Sequence, residues 1–267
     1  MKEEKIIYYK DELNDEFSPA KIEPRFIGDD YKYIRDKSFF DKIARFFWYR
    51  IVFTPVAAFY SKFVLKQKVV NKKLLKKFKF TGYFLYGNHT HDLGDALCPH
   101  FTNFPKHNYL IVHPNNVSMK VIGRLTPILG ALPLPDTKGA YKNFISAINT
   151  RIKQKKCVII YPEAHIWPYY TGIRPFGDVS FSYPVKLDVP VFCFTNTYQK
   201  RRFSKKPKVV TYVDGPFYPN PDLSPKEQRK HLRDQVYECM CERAKNSNIE
   251  YIKYVKATEE NKEDSND

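Results

Sequence analysis

Between residues 83 and 217, short runs rich in β-branched and aromatic residues recur, and most are followed by a stretch long enough to hold a helix. The runs are YFLYGN (83–88), NYLIVH (108–113), CVIIYPE (157–163), VPVFCFTNTY (189–198) and KVVTYVDGPF (208–217), with GALPLPD (130–136) as a further extended piece. The cores of YFLYGN, NYLIVH and CVIIYPE are short apolar runs without alternation, the pattern of buried strands. Helical patterns stand between and after them. One lies around 117–126, and a second is GAYKNFISAINTRIKQKK (139–156), with Tyr141, Phe144, Ile145 and Ile148 on one side. The third is SPKEQRKHLRDQVYECMCERAKN (224–246), where Ser224, Pro225 and Glu227 supply an N-cap, a first-turn proline and a capping box. Covered strands alternating with helices predict an α/β fold: a mainly parallel central sheet flanked by helices.

Outside this region the chain changes character. Residues 1–38 are polar, contain Pro19 and Pro24, and read as a loosely attached arm. Residues 39–80 form an amphipathic, lysine-rich helical segment. Phe39, Ile43, Phe46, Phe47, Ile51 and Phe53 recur at helical spacing, Pro55 is expected to break or kink the helix, and eight lysines fall between 62 and 79. The main folded domain is expected over 81–246, and 247–267 reads as an acidic, disordered tail. Of the net charge of +16, residues 1–38 contribute −2 and 246–267 contribute −3, so the middle of the chain is strongly basic. Such a surface attracts polyanions. Nucleic acid is disfavoured, because no RRM, KH, zinc-finger or helix-turn-helix pattern is present and the aromatics sit beside long apolar faces. An apolar face with a lysine rim instead fits an interfacial helix on anionic lipid. The first residues lack the apolar core of a secretory signal, and FFWYRIVFTPVAAFY (46–60) is too short and too interrupted to span a bilayer. Five scattered cysteines without a CxxC pair suggest reduced thiols and no structural zinc site, with Cys239 and Cys241 as packing residues of a helix.

The chemistry concentrates in GNHTHDLGDAL (87–97), which opens directly from the first strand. Two readings compete. A metallo-β-lactamase-type hydrolase needs H-x-H-x-D-H. His89 and His91 fit its first half, but Asp92 follows His91 without the spacer, and the third ligand would have to be His113 or His165. A metal-free acyl transfer needs a general base and a carboxylate that holds its ring, which His89 with Asp92 or Asp95 can supply.

These blocks resemble the glycerolipid acyltransferase family, the enzymes typified by 1-acylglycerol-3-phosphate acyltransferase. That family carries N-H-x4-D, then G-x-I-x-x-x-R, then F-P-E-G-T-R, then a V-P-V-x-P-like strand. Here NHTHDLGD (88–95), LGALPLPD (129–136), IIYPEAHIWP (159–168) and DVPVFCF (188–194) follow in the same order over about residues 70–245. The resemblance makes His89 the base and Asp95 its partner, in a variant H-x5-D spacing. It places Asn88, Lys120, Gly130, Glu163, His165 and Arg174 around the substrates. It also implies a fatty acyl thioester donor, on coenzyme A or the acidic acyl carrier protein, with a lysophospholipid or related lipid as acceptor. The enzyme would work without metal or cofactor, peripherally, on the cytoplasmic side of a membrane. Two family arginines that help hold the acceptor phosphate are replaced by Asp136 and Ile166, which leaves that task to Lys120, Arg124 or Arg174. A lipid-binding relative without activity is the alternative within the resemblance.

Overall fold

The computed structural model describes residues 5–18, 22–36, 38–120 and 122–258. Seven strands form the central sheet: β2 (Lys68–Val70), β3 (Tyr83–Gly87), β4 (Asn108–Val112), β5 (Ala131–Pro133), β6 (Cys157–Ile160), β7 (Val191–Gln199) and β8 (Lys208–Phe217). Their order is β2-β8-β7-β3-β6-β4-β5, parallel except for the β7–β8 pair. β3 is buried along its whole length. Phe84 and Tyr86 face a core shared with α6 (Lys138–Lys153) and α8 (Pro225–Ala244), while Tyr83 and Leu85 face a second core with Leu75 of α3 (Lys73–Lys77). This two-sided burial is why the β3 and β6 sequences are uniformly apolar. α8 starts at the expected capping box, with the Ser224 side chain accepting from the Glu227 N–H and the Glu227 carboxylate accepting from the Ser224 N–H.

Several expectations are corrected. The region 117–126 is not one helix: α5 spans Asn115–Ser118, and a single 3-10 turn follows at Ile122–Arg124. The arm and tail are not loose where they are described. β1 (Lys5–Tyr9) and β9 (Ile252–Lys256) pair in parallel as a small second sheet, which shows neither segment as an isolated pattern because each alone lacks a partner for its backbone. The rest of the arm is pinned along the domain. Trp167 Nε1–H donates to the Asp15 carbonyl at 2.8 Å, the Ile27 N–H donates to Asp136 Oδ2 at 2.7 Å, and Asp29 Oδ1 accepts from the Ala140 N–H at 2.9 Å. Residues 259–267 lie outside the described residues.

The segment after the arm is one continuous helix from 39 to 64: α1 (Phe39–Phe46), a π-helical stretch (Phe47–Phe53), α2 (Thr54–Phe59) and a second π-helical stretch (Tyr60–Val64). Pro55 neither breaks nor ends it. The wide turn before Pro55 lets the Thr54 N–H and hydroxyl both satisfy the Tyr49 carbonyl, so the proline's missing N–H falls in an already rearranged ladder. The buried stripe of this helix is Arg45, Tyr49, Ala57 and Ser61, and it packs against α4 (Asp92–Thr102). The apolar face points outward: Phe39, Phe40, Phe46 and Phe59 are 72%, 79%, 62% and 61% exposed. No helix among the described residues is long and apolar enough to cross a membrane.

Candidate active site

β3, β6, β4 and β5 run parallel and end along one edge of the sheet, where open α/β sheets place their ligand crevices. His89 stands two residues past β3 on that edge. Its backbone is held from both sides: the N–H donates to Glu163 Oε2 at 2.8 Å, and the carbonyl accepts from the Trp167 N–H at 3.1 Å. The chain stays extended through His91, which caps α4 by accepting the Gly94 N–H on Nδ1 at 3.1 Å. Asp95 then falls one turn into the helix, and its Oδ2 meets His89 Nδ1 at 2.8 Å and the His91 N–H at 2.9 Å. An extended His89–His91 stretch followed by one helical turn thus brings a carboxylate six residues on back to the His89 ring. Gly94 serves by size rather than by unusual backbone angles, since a Cβ there would stand 2.7 Å from the His91 ring. Asp92 sits exposed on the first turn of α4, and no bond joins it to His89 among the described residues.

Asp95 is 2% exposed and the His89 side chain 17%. With Nδ1 turned to Asp95, Nε2 has no hydrogen-bond partner among the described residues and can accept a proton from a bound molecule. Tyr161 completes the setting. Its ring stacks on His89 with centroids 4.6 Å apart, and its hydroxyl donates to the Asp95 carbonyl at 2.5 Å. Sequence reasoning missed this residue. The signal was present in the sheet register, because Tyr86 pairs with Ile160, so the residue after Ile160 must stand beside the residues that leave β3.

Glu163 is 4% exposed, and burial holds its carboxyl above the ordinary glutamate range despite Arg174 and two backbone donors. It ties the His89 N–H to the Arg174 N–H, the latter at 2.9 Å. It thus places the His89 backbone; among the described residues its contacts are internal. Ala164 adopts φ +65, a left-handed turn that costs a non-glycine residue about 1 kcal/mol.

Three other residues expected around the substrates have internal partners. Arg174 is 1% exposed, and its guanidinium is spent on the carbonyls of Glu12, Glu163 and His165 and lies 5.0 Å from the Trp167 ring centre, so it is not available to a substrate phosphate. Asn88 is a buried clamp between strands, donating to the Asn196 carbonyl at 3.0 Å and accepting from its N–H at 2.8 Å. Gly130 takes φ +107 where the chain enters β5, and a Cβ there would meet the Asn108 carbonyl oxygen at 2.5 Å. His165 is half-buried with Nδ1 on Glu16 Oε2 at 3.0 Å, so the arm occupies it. Asp136 is likewise an anchor for the arm. Lys120 and Arg124 are exposed in the connection that follows β4 at the same edge. The metal reading gains no support: among the described residues the donor atoms of His89, His91, Asp92, His113 and His165 do not converge on a common point as a metal ion requires.

No family model matches the sequence, and no curated protein does. The chain is similar to the 1-acyl-sn-glycerophosphate (LPA) acyltransferase PlsC from Thermotoga maritima, at 18% identity and a TM-score of 0.54, over 77% of this chain and 83% of that one.

Proposed function

We propose that this protein is a membrane-associated O-acyltransferase that moves a fatty acyl group from a thioester to a lipid hydroxyl. The observation that carries the reading is the His89–Asp95 pair, with a free Nε2, at the carboxyl edge of β3 in a PlsC-like fold. His89 Nε2 takes the proton of the acceptor hydroxyl as its oxygen attacks the thioester carbonyl carbon. Asp95 holds the ring with Nδ1 protonated and stabilises the imidazolium that forms. Collapse breaks the C–S bond, and the leaving thiolate takes the proton back from His89. No metal or cofactor enters these steps. Lys120 and Arg124 are the basic side chains left to meet an anionic acceptor headgroup, since Arg174 is buried. The donor is acyl-coenzyme A or acyl carrier protein. The test is thiol release from palmitoyl-coenzyme A and palmitoyl-carrier protein, with lysophosphatidate, other lysophospholipids and total polar lipids as acceptors. Acceptor-dependent release is expected; absence of release with every pair would reject the enzymatic reading in favour of a lipid-binding relative.

The outward aromatic face of the 39–64 helix supports docking on the cytoplasmic leaflet. Beside its end, the β7–β8 hairpin carries Lys200, Arg201, Arg202, Lys205 and Lys206 around Phe203, which is 90% exposed, and Arg201 donates to the Val64 carbonyl at 2.9 Å. Aromatics flanked by cations suit an anionic interface. Burying one phenylalanine contributes about 1.5–3 kcal/mol. The double variant Phe40→Asp/Phe47→Asp is therefore expected to lose at least about a hundredfold in sedimentation with phosphatidylglycerol vesicles, with its circular dichroism unchanged. Unaltered sedimentation would place the membrane contact elsewhere.

A further inference from the structure

Three donor atoms that acyl transfer does not use converge on the α8 side of the sheet. The register of the β7–β8 pair sets Cys193 opposite Asp214, next to a bulge, and α8 lays Cys239 across them. The two Sγ atoms are 3.9 Å apart, and both lie with an Asp214 carboxylate oxygen inside a 4.8 Å span. Zinc–sulfur bonds of about 2.3 Å in tetrahedral geometry hold two sulfurs about 3.8 Å apart. A disulfide would need them at about 2.05 Å. The 3.9 Å found, a thiol–thiol hydrogen bond in the metal-free chain, already matches the separation an ion would impose and is far from that of a disulfide.

The neighbouring charge agrees. Arg243 grips Asp214 through two parallel hydrogen bonds, Nε to Oδ2 at 2.8 Å and Nη2 to Oδ1 at 2.5 Å. Each carboxylate oxygen keeps a second lone pair for another partner. Two thiolates and a carboxylate around a divalent cation carry one net negative charge, and Arg243 cancels it. A carboxylate oriented from behind by a hydrogen-bonded partner is a recurrent arrangement around metal ligands. Cys193 is fully buried, whereas Cys239 and Asp214 are half-buried, so an ion has a way in from the solvent side.

We propose that Cys193, Asp214 and Cys239 form a binding site for a thiophilic divalent cation of the zinc class, with Arg243 as the charge-balancing partner of the carboxylate. On binding, each thiol gives its proton to solvent and its sulfur lone pair to the metal, the carboxylate contributes a third donor, and nothing is oxidised or reduced. The fourth position is open to water. The ion would join β7, β8 and α8, and β7 is the strand whose Asn196 clamps Asn88 next to His89. The site is therefore a fastening for the strand behind the catalytic edge, and it does not rest on the acyl-transfer reading.

The experiment is an anaerobic titration of the reduced, chelator-treated full chain with cobalt(II), followed by back-titration with zinc. One equivalent of cobalt is expected to give thiolate-to-cobalt charge-transfer absorption that one equivalent of zinc abolishes. Zinc at a hundredfold excess over its dissociation constant should raise Tm by about 5 °C. Cys239→Ser, half-buried and tolerant of a hydroxyl, should weaken cobalt binding by at least about a hundredfold, and Cys241→Ser, which faces away from the cluster, should leave it unchanged. Charge-transfer absorption that is absent from the native chain, or that survives in Cys239→Ser, overturns the proposal. So does a chain that takes up no cobalt and instead forms the Cys193–Cys239 disulfide with a mild oxidant such as diamide.

Discussion

Turnover is expected to fall about a thousandfold in His89→Ala, within the roughly 10²–10⁴ range of a general base, while the fold stays intact. The side chain lies at the edge of the core, and the backbone on either side of it remains held by Glu163 and Trp167, so truncation removes the base without releasing the loop. The Asp95 variants separate the two tasks of the carboxylate. Both the His89 ring and the His91 N–H meet the same oxygen, Oδ2, and Oδ1 has no hydrogen-bond partner among the described residues. An asparagine with its oxygen in the Oδ2 position keeps both bonds and the ring tautomer, but it loses the charge that stabilises the imidazolium. Asp95→Asn should therefore retain more activity than Asp95→Ala, which loses orientation as well. Asp92→Ala should stay within about twofold of wild type, because Asp92 does not reach the ring. Steady-state kinetics on the four variants, with Tm measured beside them, decides the matter. Normal turnover in His89→Ala, or a larger loss in Asp92→Ala than in Asp95→Ala, would remove the pair from the mechanism.

The order of these roles was partly legible in the sequence, and the limits have a physical cause. The central strands could be read because burial on both faces forces every position of YFLYG and CVII to be apolar. β1 and β9 could not, since KIIYY and IKYVK are half-exposed and become strands only by finding each other across the length of the chain. The His89–Asp95 spacing was visible because a strand exit and a helix turn are local geometry. The internal partners of Asn88, Gly130 and Arg174 were not legible, because they are backbone atoms of Asn196, Asn108, Glu163 and His165 supplied by tertiary packing. The 39–64 helix carries the sharpest lesson. Its periodicity announced an apolar face, and by the usual rule that face packs on the core. Here the inward stripe begins with Arg45, and what buries an arginine is a carboxylate elsewhere in the chain.

That carboxylate is Asp36, and Asp36→Ala is expected to cost about 3–5 kcal/mol of stability. Asp36 accepts from Arg45 at 2.9 Å and twice from Arg151 at 2.8 Å. Arg45 is 7% exposed and Arg151 is fully buried, so removing the carboxylate leaves two guanidinium groups out of water with only Tyr109 and Gln154 beside them. The three residues come from the arm, the aromatic helix and α6, so the variant should also loosen the membrane-facing helix and increase its amide exchange. The same bonds set a pH dependence. Burial alone would raise the Asp36 carboxyl, but the Arg151 hydrogen bonds and the Arg45 charge outweigh it, and the folded value lies below the ordinary one. A depressed carboxylate contributes its stability above the unfolded value of about 3.9 and loses it as pH falls through the folded value. Urea denaturation should accordingly show the gap between wild type and Asp36→Asn at pH 7 closing as pH drops below about 4. A gap that persists unchanged to pH 2, well under the usual aspartate range, would mean that the two arginines are held by packing on Tyr109 rather than by the charge of Asp36.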